Sequence, residues 1–337
     1  MLILSGDVGG TKTRLQLTEF KDQHHFKVIA REQYLNQEYP SFTAIVTHFL
    51  TQNNTTPTSI KATCFAVAGP IIHGTVKFTN LPWYVDEQKL REDLGFSSVK
   101  LINDFEAIGY GIDTLKKEEI HTLQNGEFVK EKTRAIIGAG TGLGVGISVF
   151  DGKHFYVIPT EGGHVDFAPT DDIQIALLQH LRKKLHRVSI ERLVSGQGLV
   201  NIYHFVREHP LANEQENPTL KAALLNSDDA PAIISEYATQ HHDAMAARAL
   251  DLFIRIYGAS AGNLALTTLP YSGIYIVGGI APKLLPQLTD GRFLRAYNDK
   301  GRMSNLLSTL PIYIVLDTQI GLQGAANFAL MHHTPTH

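Results

Sequence analysis

The sequence predicts a two-domain α/β protein, and three observations carry that prediction. At 337 residues and 37.2 kDa the chain exceeds the size at which one hydrophobic core keeps growing, so two domains are expected. Runs with strand and helix patterning are interleaved through the N-terminal third, the order that builds an α/β domain. One local plan, strand then glycine turn then strand, occurs first at Gly6 and again at Gly138.

The elements follow in chain order. Met1 to Ser5 reads as a strand, Gly6 to Lys12 as a turn, and Arg14 to Phe20 as a strand with imperfect alternation. A helix is expected over Tyr39 to Leu50, then a polar surface loop in TQNNTTPTS. Ile60 to Ala68 reads as a buried strand, Gly74 to Thr79 as another, Asp86 to Leu94 as a helix and Val99 to Ile102 as a strand. Between Asp113 and Lys132 the composition turns polar, which marks the domain boundary region. Arg134 to Ile137 forms a strand that enters GAGTGLG at Gly138 to Gly144, and Val145 to Phe150 leaves it extended. Helices are expected over Asp172 to His186, Gly198 to His209, Ala230 to Thr239 and Asp243 to Leu266. Gly273 to Val277 and Pro311 to Leu316 are strands, and Gly321 to His332 is a final helix whose packing partner the pattern does not name.

Composition excludes several classes. Thirty basic and 33 acidic residues give a formal charge of -3, with no Lys/Arg block long enough for a nucleic-acid stripe or a membrane anchor. The short patch Arg182, Lys183, Lys184 reads as a solvated helix face. No apolar run reaches the roughly 18 residues of a membrane helix. The start MLILSGDVGG has no charged segment or cleavage site of a secretory signal, so a cytoplasmic location is expected. The lone Cys64 lies in an apolar run and is expected to be a buried thiol.

Both glycine turns suit polyphosphate. Several backbone N–H groups must converge on such an anion, and glycine removes the Cβ that would intervene while allowing positive φ. Neither turn is a Walker A loop, since Thr11 stands where a glycine should precede Lys12 and the chain continues as a strand. Neither is a dinucleotide fingerprint, which should feed a helix. Asp7 suits either the orientation of a magnesium-bound water or an Asx-type turn cap, and Lys12 either phosphate or solvent.

A polar cluster supplies the second half of the chemistry. Asn103 and Asp104 end the strand Val99 to Ile102, where a carboxylate can be rigidly placed to take the proton of a hydroxyl during phosphoryl transfer. The same pair also fits a turn. Glu161 and His164, separated by two glycines, suit vicinal hydroxyls that both donate and accept. With Asp166 they match no zinc spacing, so no protein-held metal site is expected. By periodicity Glu191 reads as a surface helix carboxylate. His241-His242 and His332-His333 read as surface residues, and His180 and His186 as parts of a helix face.

Over nearly its whole length the chain resembles the bacterial glucokinase family. The matching stretches are GDVGGTKTRL from Gly6, AVAGPI from Ala66, LINDF from Leu101, GAGTGLG from Gly138, EGGHVDFAP from Glu161, IERLVSGQGLVN from Ile190, GNLAL from Gly262 and GGIAPK from Gly278. The resemblance implies a two-domain actin-like ATPase (ribonuclease H-like) fold with an interdomain active-site cleft. It implies a smaller domain over 1–112, a larger one over 113–318, and a terminal helix in 319–337 that returns to the smaller domain. ATP, with Mg2+, is expected to meet Gly6, Asp7, Val8, Gly9, Gly10 and Thr11 on one side. Gly138, Ala139, Gly140, Thr141 and Gly142 are expected on the other, with Gly278 and Gly279 near the nucleoside. D-glucose is expected at Asn103, Asp104, Glu161, His164 and Glu191, with Asp104 as general base. A homodimer is implied as well. Lys12 stands where many members have Asn and related sugar kinases have Lys, which leaves the strictness of the glucose preference open. The cysteine-rich zinc motif of the wider repressor and sugar-kinase group is absent, and no DNA-binding module is expected.

Overall fold

The computed structural model describes residues 1–21, 25–69, 71–78, 81, 83–208 and 216–333. Pro70 of AVAGPI, Thr79 at the end of one expected strand and His209 at the end of one expected helix lie outside the described residues. The chain divides into two compact units: Met1–Glu119 with Phe155–Pro159 and Asp317–His337, and Ile120–His154 with Thr160–Leu316.

The first unit is built on strands β1 (Leu2–Val8), β2 (Lys12–Phe20), β3 (Phe26–Leu35), β4 (Ala62–Val67) and β7 (Val99–Asn103), in the order β3-β2-β1-β4-β7. β1 pairs antiparallel with β2 and parallel with β4, and β7 continues the sheet parallel to β4. All six residues of β4 are buried, the unbroken apolar run expected of an interior parallel strand. Its side chains alternate between two cores. Phe65 and Val67 join Phe42, Ile45, Val46 and Phe49 of α1 (Phe42–Gln52) and Leu90 of α2 (Glu87–Leu94). Ala62, Cys64 and Ala66 join Ala107 and Tyr110 of α3 (Asp104–Gly111) and Ala325, Ala326 and Ala329 of α13 (Ile320–Met331). Small side chains on the second face let α3 and α13 come close, and the terminal helix packs on α3, β1 and β4. Cys64 is fully buried within that core. The short ribbon β5 (Thr75–Lys77) and β6 (Tyr84–Asp86) completes the paired strands, and β11 (Phe155–Pro159) lies against α3.

The first turn is tighter than the sequence suggests. Gly6, Asp7 and Val8 belong to β1, in register with Leu15, Arg14 and Thr13 of β2, which leaves Gly9, Gly10 and Thr11 as the turn. Gly6 is there for packing: a Cβ would lie 2.6 Å from Phe65 Cδ1 and 2.9 Å from Leu15 Cδ2. β3 is absent from the sequence-based expectations because the polar run Arg31, Glu32, Gln33 breaks its alternation and only Tyr34 of its ten residues is buried.

In the second unit, β8 (Ile120–Gln124), β9 (Arg134–Ala139), β10 (Leu143–Phe150), β12 (Ile274–Val277) and β13 (Ile312–Val315) run in the order β10-β9-β12-β13-β8. The hairpin β9–β10 pairs Ala139 with Leu143, so this turn also contracts, to Gly140, Thr141 and Gly142. The helices are α4 (Asp172–Leu185), α5 (Gly196–Glu208), α6 (Pro218–Leu225), α7 (Ala230–Thr239), α8 (Ala244–Thr268), α9 (Ile280–Lys283), α10 (Leu285–Thr289), α11 (Arg292–Asn298) and α12 (Ser304–Thr309). α8 is started by Asp243, whose carboxylate accepts from Ala246 N–H at 2.9 Å, and its apolar face is the spine of the core. Arg182, Lys183 and Lys184 are exposed in the last turn of α4. His186 lies just past that helix at φ 54°, off the face on which periodicity puts it.

Candidate active site

In the first unit the turn is held by hydrogen bonds from three directions. Gly9 N–H donates to Lys12 O at 3.0 Å. Asn36 N–H donates to Thr11 O at 2.9 Å, and the Asn36 side-chain Nδ2 donates to Gly9 O at 2.8 Å. Asp7, beside the turn on β1, is one-third exposed and lies 3.4 Å from Arg14 Nη1. Its surroundings strip water from the carboxylate by more than the guanidinium compensates, which holds its pKa above the ordinary carboxylate range. Val8 precedes the same turn as the last residue of β1, and Thr11 ends the turn before β2.

Asn103 and Asp104 lie at the junction of β7 and α3. Asn103 ends the strand and caps the helix: its Oδ1 accepts from Phe105 N–H at 2.9 Å and Glu106 N–H at 3.4 Å, and Glu106 Oε2 accepts from Asn103 N–H at 3.4 Å. The cap commits the amide oxygen, so the polar group Asn103 can still offer is the Nδ2 donor. Asp104 is the first helical residue, and its Oδ1 accepts from Phe105 N–H at 2.9 Å. A carboxylate there is favoured by the helix dipole and held to one orientation. The turn reading of this pair is met by a capped helix start, which leaves the Asp104 carboxylate at the end of a strand.

In the second unit the structure brings Glu161, His164 and Glu191 together. His164 Nε2 lies 3.8 Å from Glu161 Oε2, and His164 Nδ1 lies 4.0 Å from Glu191 Oε1. Both separations exceed hydrogen-bond length, so the three groups are neighbours that do not saturate one another. Arg187 fixes the loop, donating from Nη2 to His164 O at 2.7 Å and from Nε to Asp166 at 2.8 Å. Glu191 is not a surface helix carboxylate. It lies in a single 3-10 turn, Ile190–Arg192, about one-quarter exposed, and its Oε2 accepts from Leu143 N–H at 3.0 Å. A Cβ on Gly142 would come within 2.5 Å of that same oxygen.

The glycine turn of this unit is bound on its other side as well. Gly140 N–H donates to Gly142 O, and Gly196 N–H, at the start of α5, donates to Gly140 O, each at 2.8 Å. Gly278, at φ 88°, follows β12 and passes so close to β9 that a Cβ would lie 2.5 Å from Ala139 O. Gly138 and Ala139 are buried at the end of β9, Gly140, Thr141 and Gly142 form the turn that follows, and Gly278 and Gly279 follow the neighbouring β12.

Sequence reasoning missed Asn36, Arg187 and Ser195. Ser195 Oγ donates to Glu191 O at 2.7 Å and accepts from Gly198 N–H at 3.0 Å. Each acts on a segment remote from itself or through a carbonyl, and neither relation leaves a periodic trace in the sequence.

The chain matches a family model described as Glucokinase over residues 4–332. It is similar to a protein of Nostoc punctiforme named glucokinase, at 46% identity, covering 96% of this chain and 98% of that one. Among solved structures it is similar to a glucokinase from an Antarctic psychrotroph, with a TM-score of 0.83 and 29% identity over 97% of this chain and 98% of that chain. It shares its fold with a ROK family glucokinase from Streptomyces griseus solved with glucose and AMPPNP, with a TM-score of 0.64 and 20% identity over 98% of this chain and 100% of that one. The mixed α/β sheets, the two glycine hairpins and the match over nearly the full length agree, and the chain belongs to the glucokinase family.

Proposed function

We propose that the protein transfers the γ-phosphoryl group of ATP to the 6-hydroxyl of D-glucose, giving glucose 6-phosphate and ADP. One observation carries this reading: the hydrogen bond from Leu143 N–H to Glu191 Oε2 joins a hydroxyl-binding cluster to a phosphate-type glycine turn within a single unit. Glu161, His164 and Glu191, with Asn103, fix the sugar ring. The turns at Gly9–Thr11 and Gly140–Gly142 offer backbone N–H groups to the phosphates, and Gly278 and Gly279 border the nucleoside. Asp104 accepts the proton of the 6-hydroxyl as its oxygen bonds to the γ-phosphorus and the bond to the β–γ bridging oxygen breaks.

Among the described residues no group of three or more His, Cys, Asp or Glu could hold a metal ion. Mg2+ keeps several waters and is carried mainly by phosphate oxygens, so the protein group it asks for is a single carboxylate beside a phosphate turn. Asp7 is the carboxylate that would hold such a water. Mg2+ when bound offsets phosphate charge.

The test is an ADP-release assay with ATP, Mg2+ and a panel of glucose, mannose, fructose and glucosamine. Glucose-dependent ADP formation is expected, and ADP release that is absent or independent of sugar overturns the reading. Among the described residues no helix is long and apolar enough to cross a membrane. On the family resemblance we also place the protein in the cytoplasm as a homodimer, and a sedimentation mass near 37.2 kDa would overturn the dimer.

A further inference from the structure

The geometry points to Asn36 as the positioning residue of the first phosphate turn, an inference that rests on the proposed kinase reading. Asn36 is 2% exposed and follows β3, on a segment remote in sequence from the turn. Three of its hydrogen bonds go to the turn and to β2 beside it, while its carbonyl accepts from Tyr39 N–H at 3.2 Å. The backbone N–H holds Thr11 O at 2.9 Å, the side-chain Nδ2 holds Gly9 O at 2.8 Å, and Oδ1 accepts from Thr13 Oγ1 at 2.8 Å. Thr13 is itself fully buried, so the third bond locks which end of the amide faces Gly9.

The consequence follows from peptide planarity. In a trans peptide the N–H points opposite to the C=O, so a residue that captures the Gly9 and Thr11 carbonyls also aims the N–H groups of Gly10 and Lys12 away from itself. Those carbonyls would repel an incoming polyphosphate if they turned toward it. A buried amide that donates to one and orients the other keeps the turn in a single anion-accepting state before nucleotide arrives, which lowers the ordering cost of binding. Gly9 and Gly10 alone cannot do this, because glycine is the residue with the most backbone freedom to lose.

The experiment compares Asn36→Ala, the isosteric Asn36→Asp, Thr13→Val and Gly10→Asp in steady-state kinetics and by calorimetric titration with AMPPNP. Asn36→Asp keeps the acceptor for Thr13 and places an oxygen against Gly9 O. Expected are a rise of about tenfold in KM for ATP for both Asn36 variants, a smaller rise for Thr13→Val, and KM for glucose within about twofold of the parent. Unchanged KM for ATP and unchanged AMPPNP affinity in the folded Asn36→Asp protein overturn the proposal, as does an equal rise in both KM values. Gly10→Asp separates the two readings by setting a carboxylate in the turn. If it abolishes AMPPNP binding while the Asn36 variants bind normally, the positioning role alone fails. If it too binds normally, the phosphate reading of the turn fails.

Discussion

The hairpin β1–β2 closes over Gly9, Gly10 and Thr11 with the Asp7–Arg14 pair on its flank, whereas β9–β10 closes over Gly140, Thr141 and Gly142 with no charged residue between Gly138 and Gly144. Both are antiparallel hairpins at the edge of a parallel core, and each is braced by a donor from elsewhere in its own unit: Asn36 for the first, Gly196 for the second. The difference lies in what adjoins them. The first turn has a carboxylate of raised pKa beside it, and its unit also supplies Asp104. The second has Glu191 beneath it, linked in turn to His164 and Glu161. On the proposed reading one backbone device serves two chemistries: the first unit handles charge and the proton, and the second recognises the polyol and ties it to the nucleotide.

That division makes predictions of decreasing size. Asp104→Ala should lower kcat by about 10²–10⁴-fold with KM for glucose changed far less, because the lost group acts on the proton in the transition state. Retained wild-type turnover would remove the base from the first unit. Gly142→Ala should displace Glu191 from Leu143 N–H and raise KM for glucose about tenfold, although the substituted residue lies in the turn proposed for nucleotide. An effect on KM for ATP alone would break the coupling assigned to the second unit.

Arg14→Gln tests the electrostatic half of the comparison. Asp7 is already held above the ordinary carboxylate range by burial, with Arg14 pulling it down. Removing the guanidinium should raise it further, so a larger share is protonated at a given pH. The acid limb of kcat/KM for ATP should then move to higher pH, and a limb that stays fixed or moves to lower pH would exclude Asp7 as its origin. The smallest effect is expected at Ser41, whose Oγ accepts from Ala44 N–H at 3.2 Å to start α1. Ser41→Ala should cost about 1 kcal/mol in chemical denaturation and leave both KM values unchanged, separating stability of the first unit from its chemistry.

Much of the local structure around the candidate site was legible because its requirements are local. A glycine turn between two strands is written in consecutive residues, and so is a carboxylate at a strand end. β4 was equally plain, since ATCFAV is apolar at nearly every position and its burial on both faces demands that. Other elements were hidden. β3 carries a mostly polar face, β8 lies in the polar stretch that marks the domain boundary, and α9 to α12 are each seven residues or shorter, too brief for a helical period to declare itself.

By itself the sequence determined the two-unit α/β plan and the positions of both glycine turns. These follow from local backbone freedom and from apolar runs that must be buried. The tertiary structure decided how far each turn extends, because sheet pairing drew Gly6, Asp7 and Val8 into β1 and Leu143 into β10. It also decided that Glu191 lies under a turn and that Asn36 grips another. Those relations rest on one or two hydrogen bonds between segments far apart in the chain, and a hydrogen bond across such a separation imposes no period and no spacing that a sequence could display.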